Sequence, residues 1–304
     1  MGKMAGNKKA TISIMIAMAT FGTVGFVAPK TGLEAIDLVF IRCVFASIFL
    51  IAVWYFSGLS KREIFNKKDI TLSLFSGILL VLNWVFLFKS FENLSVTISI
   101  SIYYLAPVIL FLLGSLIYKE RITLVPLLGV LSSFIGSILL SGLTSDFSID
   151  KLLSSGVIWA FLAAIFYGFL MIVNKGITQT SSYFTTLLQT TLGFLLLIPF
   201  VKFGSFQQLH LENWSFILII GFVHTGIIYA LFFGNIRFLP SNMIAVLTFL
   251  DPAVAIVLDT VITGFKPTTT QVIGIFLTFL GIALILLLNS PKKVSQNSNE
   301  KIAN

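Results

Sequence analysis

The chain of 304 residues is 57% hydrophobic and only 11% charged, and its mean hydropathy is +1.01. Soluble globular domains average about 45–50% apolar and about 25% charged residues, so this chain lacks the charge that a water-facing surface needs. The composition excludes a soluble enzyme, a disordered chain and a nucleic-acid-binding protein, despite a formal net charge of +8. It predicts a protein embedded in a lipid bilayer.

Ten apolar runs follow one another along the chain, each near the roughly 20 residues that a helix needs to cross about 30 Å of hydrocarbon. The runs are continuously apolar rather than alternating, which favours helices over the strands of a membrane barrel. The sequence therefore predicts an all-α membrane protein with ten transmembrane helices. The predicted spans are 10–29, 35–58, 70–88, 95–118, 122–142, 152–173, 183–201, 214–236, 241–262 and 268–288.

The distribution of Lys and Arg predicts the orientation of these spans. With the N-terminus inside, fourteen of the 20 basic residues lie on the inner side, five lie on the outer side, and Arg42 lies within a span. Cytoplasmic loops carry the excess of positive charge in membrane proteins, so both termini are predicted to be cytoplasmic and the protein to lie in the plasma membrane. Residues 289–304 are rich in Ser, Asn and Lys and are predicted to form a disordered cytoplasmic tail.

The two halves of the chain repeat one another. When the chain is shifted by 145 residues, 94–140 aligns with 239–285 without a gap, and the aligned pairs include Pro107 with Pro252 and Gly136 with Gly281. The pattern predicts two five-helix repeats, at 10–142 and 152–288. Because five is odd, the second repeat enters the membrane from the opposite side, so the repeats are inverted and a binding site is expected between them near the midplane.

These features resemble the EamA-type members of the drug/metabolite transporter superfamily, over residues 10 to 288. The resemblance implies a ten-helix secondary carrier without a cofactor, commonly an exporter of amino acids, related metabolites or toxic compounds. The second copy departs from the family at Phe265, where a Glu is usual. The similar motifs are 20–27 (TFGTVGFV), Arg42, 103–108 (YYLAPV), 119–123 (KERIT), Gly129, Gly136 and the Asp251-Pro252 pair.

Two charged residues deep in the predicted spans are the first candidates for a substrate site, because burying a charge in lipid is costly. Arg42 could hold a substrate carboxylate, or it could pair with a helix carbonyl or with Asp37 and only orient its helix. Asp251 precedes Pro252, which frees backbone carbonyls one turn earlier. Its carboxyl could exchange a proton in each cycle or bind a substrate amino group, and the alternative is a protonated Asp that hydrogen-bonds to another helix.

Other polar side chains near the predicted midplane extend this set. Asn83 and Trp84 in the third span, with Tyr103 and Tyr104 in the fourth, offer flat apolar walls and hydrogen-bonding groups to a small substrate. His224 in the eighth span suits a proton relay, since a free His titrates near pH 6.5, although it could equally bond to a neighbouring helix.

The remaining predictions concern motion, metals and assembly. Pro107 and Pro252 occupy equivalent positions and are predicted hinges. A metal site is not expected, because Cys43 is the only cysteine and the two histidines are far apart in sequence. Small residues three to four apart on the fifth and tenth spans predict close helix packing, either within one chain or across a homodimer, so monomer and dimer both stay open.

Taken together, the sequence predicts a secondary transporter that exports amino acids or related small metabolites, with proton coupling as a further hypothesis. The expected partners are a small-molecule substrate and the lipid bilayer, and not nucleic acid. An importer or facilitator of the same fold is the first alternative. An intramembrane lipid-modifying enzyme is the second, but the sequence has no pattern of a nucleophile with its base or of metal ligands, so the chain is predicted not to be an enzyme.

Overall fold

The structure is a computed structural model that describes residues 2–92, 94, 96–140, 155–262 and 266–288. Within these ranges the chain is helical and contains no strand. The prediction of an all-α membrane protein is therefore confirmed. Three apolar helices are shorter than a full span, at Leu105–Ile117, Leu124–Leu139 and Ser241–Ala255. Seven are long and apolar enough to cross a membrane: Lys8–Val27, Ala35–Phe56, Lys67–Phe91, Gly156–Lys175, Ser182–Phe200, Leu211–Ile236 and Thr269–Leu287.

The first half of the chain forms long helices joined by short 3-10 turns. The helix at Lys67 begins with a side-chain cap, in which the Asn66 Oδ1 accepts from the Asp69 backbone N–H at 3.1 Å. A π-helix at Leu110–Gly114 interrupts the fourth apolar segment. The α-helices are α1 (Gly2–Phe21), α2 (Val24–Val27), α3 (Ala35–Phe56), α4 (Lys67–Phe91), α5 (Val96–Tyr103), α6 (Leu105–Ile109), α7 (Ser115–Ile117) and α8 (Leu124–Leu140).

The second half likewise contains both long and interrupted helices. Ser181 caps its helix by accepting from the Phe184 amide at 3.2 Å. A nine-residue π-helix, Ile219–Ile227, replaces the middle of the eighth apolar segment. The α-helices are α9 (Ser155–Lys175), α10 (Ser182–Leu197), α11 (Leu211–Leu218), α12 (Ile228–Ile236), α13 (Ser241–Thr248), α14 (Leu250–Ile262) and α15 (Thr269–Leu288).

Two helices are broken at equivalent places. The break between α5 and α6 lies at Tyr104, and the break between α13 and α14 lies at Phe249, with nearly identical backbone angles of φ −71°, ψ 4° and φ −71°, ψ −3°. Each break comes three residues before a proline, Pro107 or Pro252. Proline has no N–H and its ring clashes with the carbonyl four residues earlier, so α5 and α13 both end at the residue that the proline disrupts.

The last helices of the two halves, α8 and α15, pack closely within the chain. The Ser132 hydroxyl donates to the Leu277 carbonyl at 2.9 Å, and the Ser133 hydroxyl donates to the Thr278 carbonyl at 3.2 Å. Both bonds join residues that are 145 positions apart in sequence. Hydroxyl to carbonyl bonds need close backbones, and the glycines of this pair of helices, such as Gly136, allow that approach.

Equivalent residues also meet elsewhere in the bundle. The Trp84 indole N–H donates to the Tyr229 hydroxyl at 2.8 Å, and the rings of Tyr104 and Phe249 lie 5.9 Å apart between centroids. Each of these pairs is again separated by 145 residues. Four contacts between the halves thus join residues that are 145 positions apart.

Candidate substrate site

Arg42 is the charged group at the centre of the site, and only 2% of its surface is exposed. Its Nε donates to the Thr225 hydroxyl at 2.9 Å, and its guanidinium carbon lies 3.8 Å from the centre of the Trp84 ring. None of the described residues forms an ion pair with it or accepts a hydrogen bond from its two terminal nitrogens. The guanidinium is thus fixed by its Nε and its flat face, while its forked end stays available to a ligand.

The alternative partner Asp37 is engaged elsewhere. Its carboxylate accepts from the Lys202 amide at 2.9 Å and from the Ser205 hydroxyl at 2.8 Å. These bonds tie the start of α3 to the connection that follows α10. Arg42 is therefore not oriented by a carboxylate one turn before it.

Thr225, which binds Arg42, was not among the predicted site residues. It lies in the π-helix of residues Ile219–Ile227, where its hydroxyl donates to the Ile220 carbonyl five residues earlier at 2.8 Å. The hydroxyl proton is used in this bond, so the oxygen is left to accept from Arg42. Single-turn π-helices are frequent at functional sites, but no pattern in the sequence announces this one.

Aromatic rings surround the Arg42 guanidinium. Trp84 meets Tyr229 edge to face at 5.0 Å, and Tyr103 stacks on Tyr167 with ring centroids 5.0 Å apart and planes only 3° apart. Trp84 and Tyr103 are predicted site residues, whereas Tyr167 was missed. Tyr167 lies in the sixth apolar segment, and a polar aromatic residue at mid-span is the signal that could have pointed to it.

Asp251 supplies the carboxyl of the site. The Tyr104 side chain, at the break of the other broken helix, lies close to it. No described Lys or Arg forms an ion pair with Asp251. Gly22 packs against the same turn, and a Cβ atom at Gly22 would lie 2.7 Å from the Asp251 carbonyl oxygen. The acid is therefore held at the contact between the two broken helices and α1.

Two tyrosines connect the cation to the acid. Tyr103 and Tyr229 are each close enough to interact electrostatically with both Arg42 and Asp251. Arg42 and Asp251 do not form an ion pair with each other.

Asn83 lies beside this cluster and is fully buried, with 0% of its surface exposed. Its amide is near the Tyr103 hydroxyl, but neither its Nδ2 nor its Oδ1 makes a hydrogen bond. Its neighbour Trp84 is the residue that stacks on Arg42. The structure therefore brings the predicted residues Arg42, Asn83, Trp84, Tyr103, Tyr104 and Asp251 into one cluster.

His224 lies next to Thr225 on the same π-helix and is 2% exposed. Its Nε2 is 2.7 Å from the Thr23 hydroxyl oxygen, and its Nδ1 is 3.3 Å from the Ile219 carbonyl oxygen. Thr23 lies between α1 and α2, so the imidazole joins the first helical segment to the eighth. The sequence left two alternatives for His224, a proton relay or a bond to a neighbouring helix. The structure shows the contact with a neighbouring helix.

Polar bonds close one end of the bundle. The Lys175 ammonium forms an ion pair with the Glu120 carboxylate and donates to the Ser241 hydroxyl at 2.9 Å, while the other Glu120 oxygen accepts from the Ser241 amide at 2.7 Å. These three residues, the Glu120 cluster, join α7, α9 and α13. At the same end, Asp69 accepts from the amides of 178, 179 and 180, at 2.7–3.1 Å.

The opposite end carries a weaker link. The Lys202 ammonium donates to the Glu34 carboxylate at 2.7 Å, and this bond lowers the pKa of Glu34. Both side chains are more than half exposed, so solvent screens the pair and it contributes little to stability.

Within the described part of the chain, no three His, Cys, Asp or Glu side chains lie close enough together to hold a metal ion. Cys43 is buried and packs beside Gly193. A Cβ atom added at Gly193 would lie 3.0 Å from the Cys43 sulfur. Phe265, the departure from the family motif, and the predicted tail 289–304 lie outside the described residues.

A buried cation, an acid without a basic partner and two helices broken at mid-span are typical of membrane transporters. The EamA-like transporter family model matches residues 8–142 and 154–287. A Bacillus subtilis (strain 168) protein named Uncharacterized transporter YxxF is 48% identical over 278 residues, which are 91% of this chain and 89% of that protein. The chain belongs to the EamA-like transporter family, and the resemblance seen in the sequence is confirmed.

A solved crystal structure shares the fold. It aligns with a TM-score of 0.77 at 17% sequence identity, over 92% of this chain and 98% of its own. The chain is thus a multi-pass membrane protein of a transporter family, and its family and its relative point to transport rather than catalysis.

Proposed function

We propose that this protein is a secondary transporter that exports amino acids or related zwitterionic metabolites across the plasma membrane. The observation that supports this most directly is the separation of Arg42 and Asp251, a buried cation and an acid that do not pair with each other. Opposite charges inside a membrane protein would gain by pairing directly. Their separation by tyrosines leaves both for a ligand that carries a carboxylate and an ammonium group.

Each group of the site then has a chemical role. The forked end of Arg42 binds the substrate carboxylate with two parallel hydrogen bonds. Asp251 and the Tyr104 hydroxyl receive the ammonium group. Trp84 and Tyr103 line the apolar part of the substrate, and Asn83 completes the set of substrate-binding residues.

Proton coupling follows from the same acid. Asp251 has no basic partner among the described residues, so it can release its proton when a cationic substrate group arrives and take one up when the site is empty. His224 lies next to the Arg42-binding Thr225 and is proposed as a relay for that proton.

The proposed architecture is ten transmembrane helices in two inverted five-helix repeats, at 10–142 and 152–288. The contacts that join residues 145 positions apart support it, because residues near a pseudo-two-fold axis meet their own equivalents. Pro107 and Pro252 are proposed as the hinges on which the broken helices move. The lysine-rich loops support cytoplasmic termini, and a fluorescent or phosphatase reporter fused to the C-terminus tests that orientation.

A flux assay tests the proposed function. Purified protein in sealed proteoliposomes is expected to transport radiolabelled amino acids with saturable kinetics and to respond to an imposed pH gradient. Arg42→Lys keeps the charge but loses the fork, so flux is expected to fall at least about tenfold. Asp251→Asn is expected to abolish the response to the pH gradient.

The control is Arg62→Lys, because Arg62 is exposed in the short turn Leu59–Arg62 and lies outside the site. It is expected to transport like the parent protein. Full flux in both Arg42→Lys and Asp251→Asn would refute the site, and flux that rises linearly with substrate would indicate a channel.

A further inference from the structure

Asn83 combines complete burial with unused hydrogen-bonding groups. A side-chain amide offers two donors and an acceptor oxygen with two lone pairs. In Asn83 neither the Nδ2 nor the Oδ1 forms a hydrogen bond with a described residue, although its surface exposure is 0%. A buried polar group without a partner destabilises the folded protein, so such a residue has a reason to be present other than folding.

The position of Asn83 indicates what that reason is. Its neighbour on α4, Trp84, stacks on the Arg42 guanidinium, and its amide is near the hydroxyl of Tyr103. Tyr103 in turn lies close to both Arg42 and Asp251. The unpartnered amide is therefore a third polar point of the substrate site, beside the cation and the acid.

The chemistry of an amide limits what it can bind well. Arg42 and Asp251 already provide one charge of each sign, and an amide is neutral and both donates and accepts. The group that satisfies it is thus neutral and hydrogen-bonding, such as a hydroxyl or a second amide.

We infer that Asn83 is a specificity-determining residue that selects substrates with a hydroxyl or amide group in addition to their carboxylate and ammonium groups. This inference rests on the proposed function and narrows its substrate class. A site built to hydrogen-bond such a group rejects the apolar analogue, because that analogue leaves the buried amide unpaired.

Pairs of nearly isosteric amino acids test the inference: L-threonine against L-valine, L-tyrosine against L-phenylalanine, and L-glutamine against L-methionine. Each is titrated into the purified full-length protein, and binding is followed by the rise in melting temperature. In at least one pair, the hydrogen-bonding member is expected to bind about tenfold or more tightly than its partner. In Asn83→Leu this preference is expected to disappear.

The stability of the ligand-free variant gives a second measurement. Asn83→Leu replaces an unpaired buried amide with an apolar group of similar size, so its melting temperature is expected to equal or exceed that of the parent. The matched control is Asn174→Leu. Asn174 is also buried, at 2% exposure, but its Nδ2 donates to the Leu170 carbonyl and its Oδ1 accepts from Gln189, both at 2.9 Å, so this variant is expected to melt at a lower temperature.

Four results would overturn the inference. A melting temperature for Asn83→Leu as low as that for Asn174→Leu would show a structural role. A preference unchanged in Asn83→Leu would place the selection elsewhere. If both members of every pair stabilise the protein equally, and Arg42→Lys loses this stabilisation, the role of Asn83 is refuted but the proposed function stands. If none of the six amino acids stabilises the protein, the inference and the proposed function are both contradicted.

Discussion

Single side chains show how the site holds a charge inside the bundle without neutralising it. Arg42 uses its Nε for Thr225 and its flat face for Trp84. A lysine could make neither contact in the same way, since its ammonium is a point charge without a plane. The arrangement fixes the direction of the guanidinium, and among the described residues no side chain or carbonyl accepts from its terminal N–H groups.

The bond between Arg42 and Thr225 can be tested on its own. Thr225→Val removes the acceptor but keeps the shape, so the buried Nε loses its partner at an expected cost of about 1–3 kcal/mol in the free energy of unfolding. Thr225→Ser keeps the hydroxyl and is expected to stay close to the parent. The measurement is chemical unfolding in detergent, and equal stability of the two variants would contradict this role.

At the scale of helices, Pro107 and Pro252 each break a helix, and the side chains at the two breaks differ. α5 and α13 both end four residues before a proline. The residues at the two breaks are Tyr104 and Phe249, and their rings are in contact. A helix broken at this depth leaves carbonyl groups without their usual partners. Such a break is tolerated where it lies inside the protein rather than against lipid.

The packing of α8 on α15 predicts a clear difference between two glycines. A Cβ atom at Gly136 would lie 2.7 Å from both the carbonyl oxygen of Gly274 and the amide nitrogen of Thr278, so the two backbones would have to separate. Gly136→Ala is expected to cost about 1–3 kcal/mol in unfolding free energy.

The matched control is Gly25→Ala in α2, where no atom lies within 4 Å of the added Cβ. This variant is expected to be neutral or to gain about 0.5–1 kcal/mol from the better helix propensity of alanine. Thermal unfolding of both variants in the same detergent is the measurement, and equal melting temperatures would contradict the packing described for α8 and α15.

Across the whole molecule, the two ends of the bundle are held differently. The Glu120 cluster is largely buried, with 7% of the Lys175 side chain and 22% of the Glu120 side chain exposed, and it joins both halves of the chain. At the other end, the Lys202 to Glu34 pair is mostly in solvent. Of the ion pairs that join the two halves among the described residues, the more buried one therefore lies at the end that carries Lys175.

A double-mutant cycle tests the Glu120 cluster. Glu120→Gln and Lys175→Met each remove hydrogen bonds to a charged group, at an expected cost of about 1.5–3 kcal/mol in unfolding free energy. The double variant is expected to cost less than the sum of the two, with a coupling energy of about 0.5–3 kcal/mol. Strictly additive effects would show that the pair does not act as a unit.

The general character of the fold was predictable because it follows from one-dimensional patterns. Apolar runs predicted the helices, and the prolines at 107 and 252 predicted where two of them would break. Arg42 and Asp251 became candidate site residues because burying a charge in lipid is costly.

Other parts of the site depend on contacts between distant segments and left no such pattern. Thr225 looks like any small polar residue in an apolar run until the π-helix turns its hydroxyl toward Arg42, 183 residues away in sequence. Tyr167 likewise becomes part of the site only through its stack on Tyr103. The lack of a partner for Asn83 is a property of the packed structure alone.

The contact between Tyr104 and Asp251 has a consequence for how the halves diverged. In the 145-residue alignment, Asp251 corresponds to Ala106 and Tyr104 corresponds to Phe249. A fully symmetric pair of repeats would form two such contacts or none, whereas this chain has one. Under the proposed two-repeat architecture, the inward-facing and outward-facing forms are then unequal in free energy, because the remaining acid moves with one repeat only. Restoring the pair with Ala106→Asp and Phe249→Tyr would bring those two forms closer to equal populations.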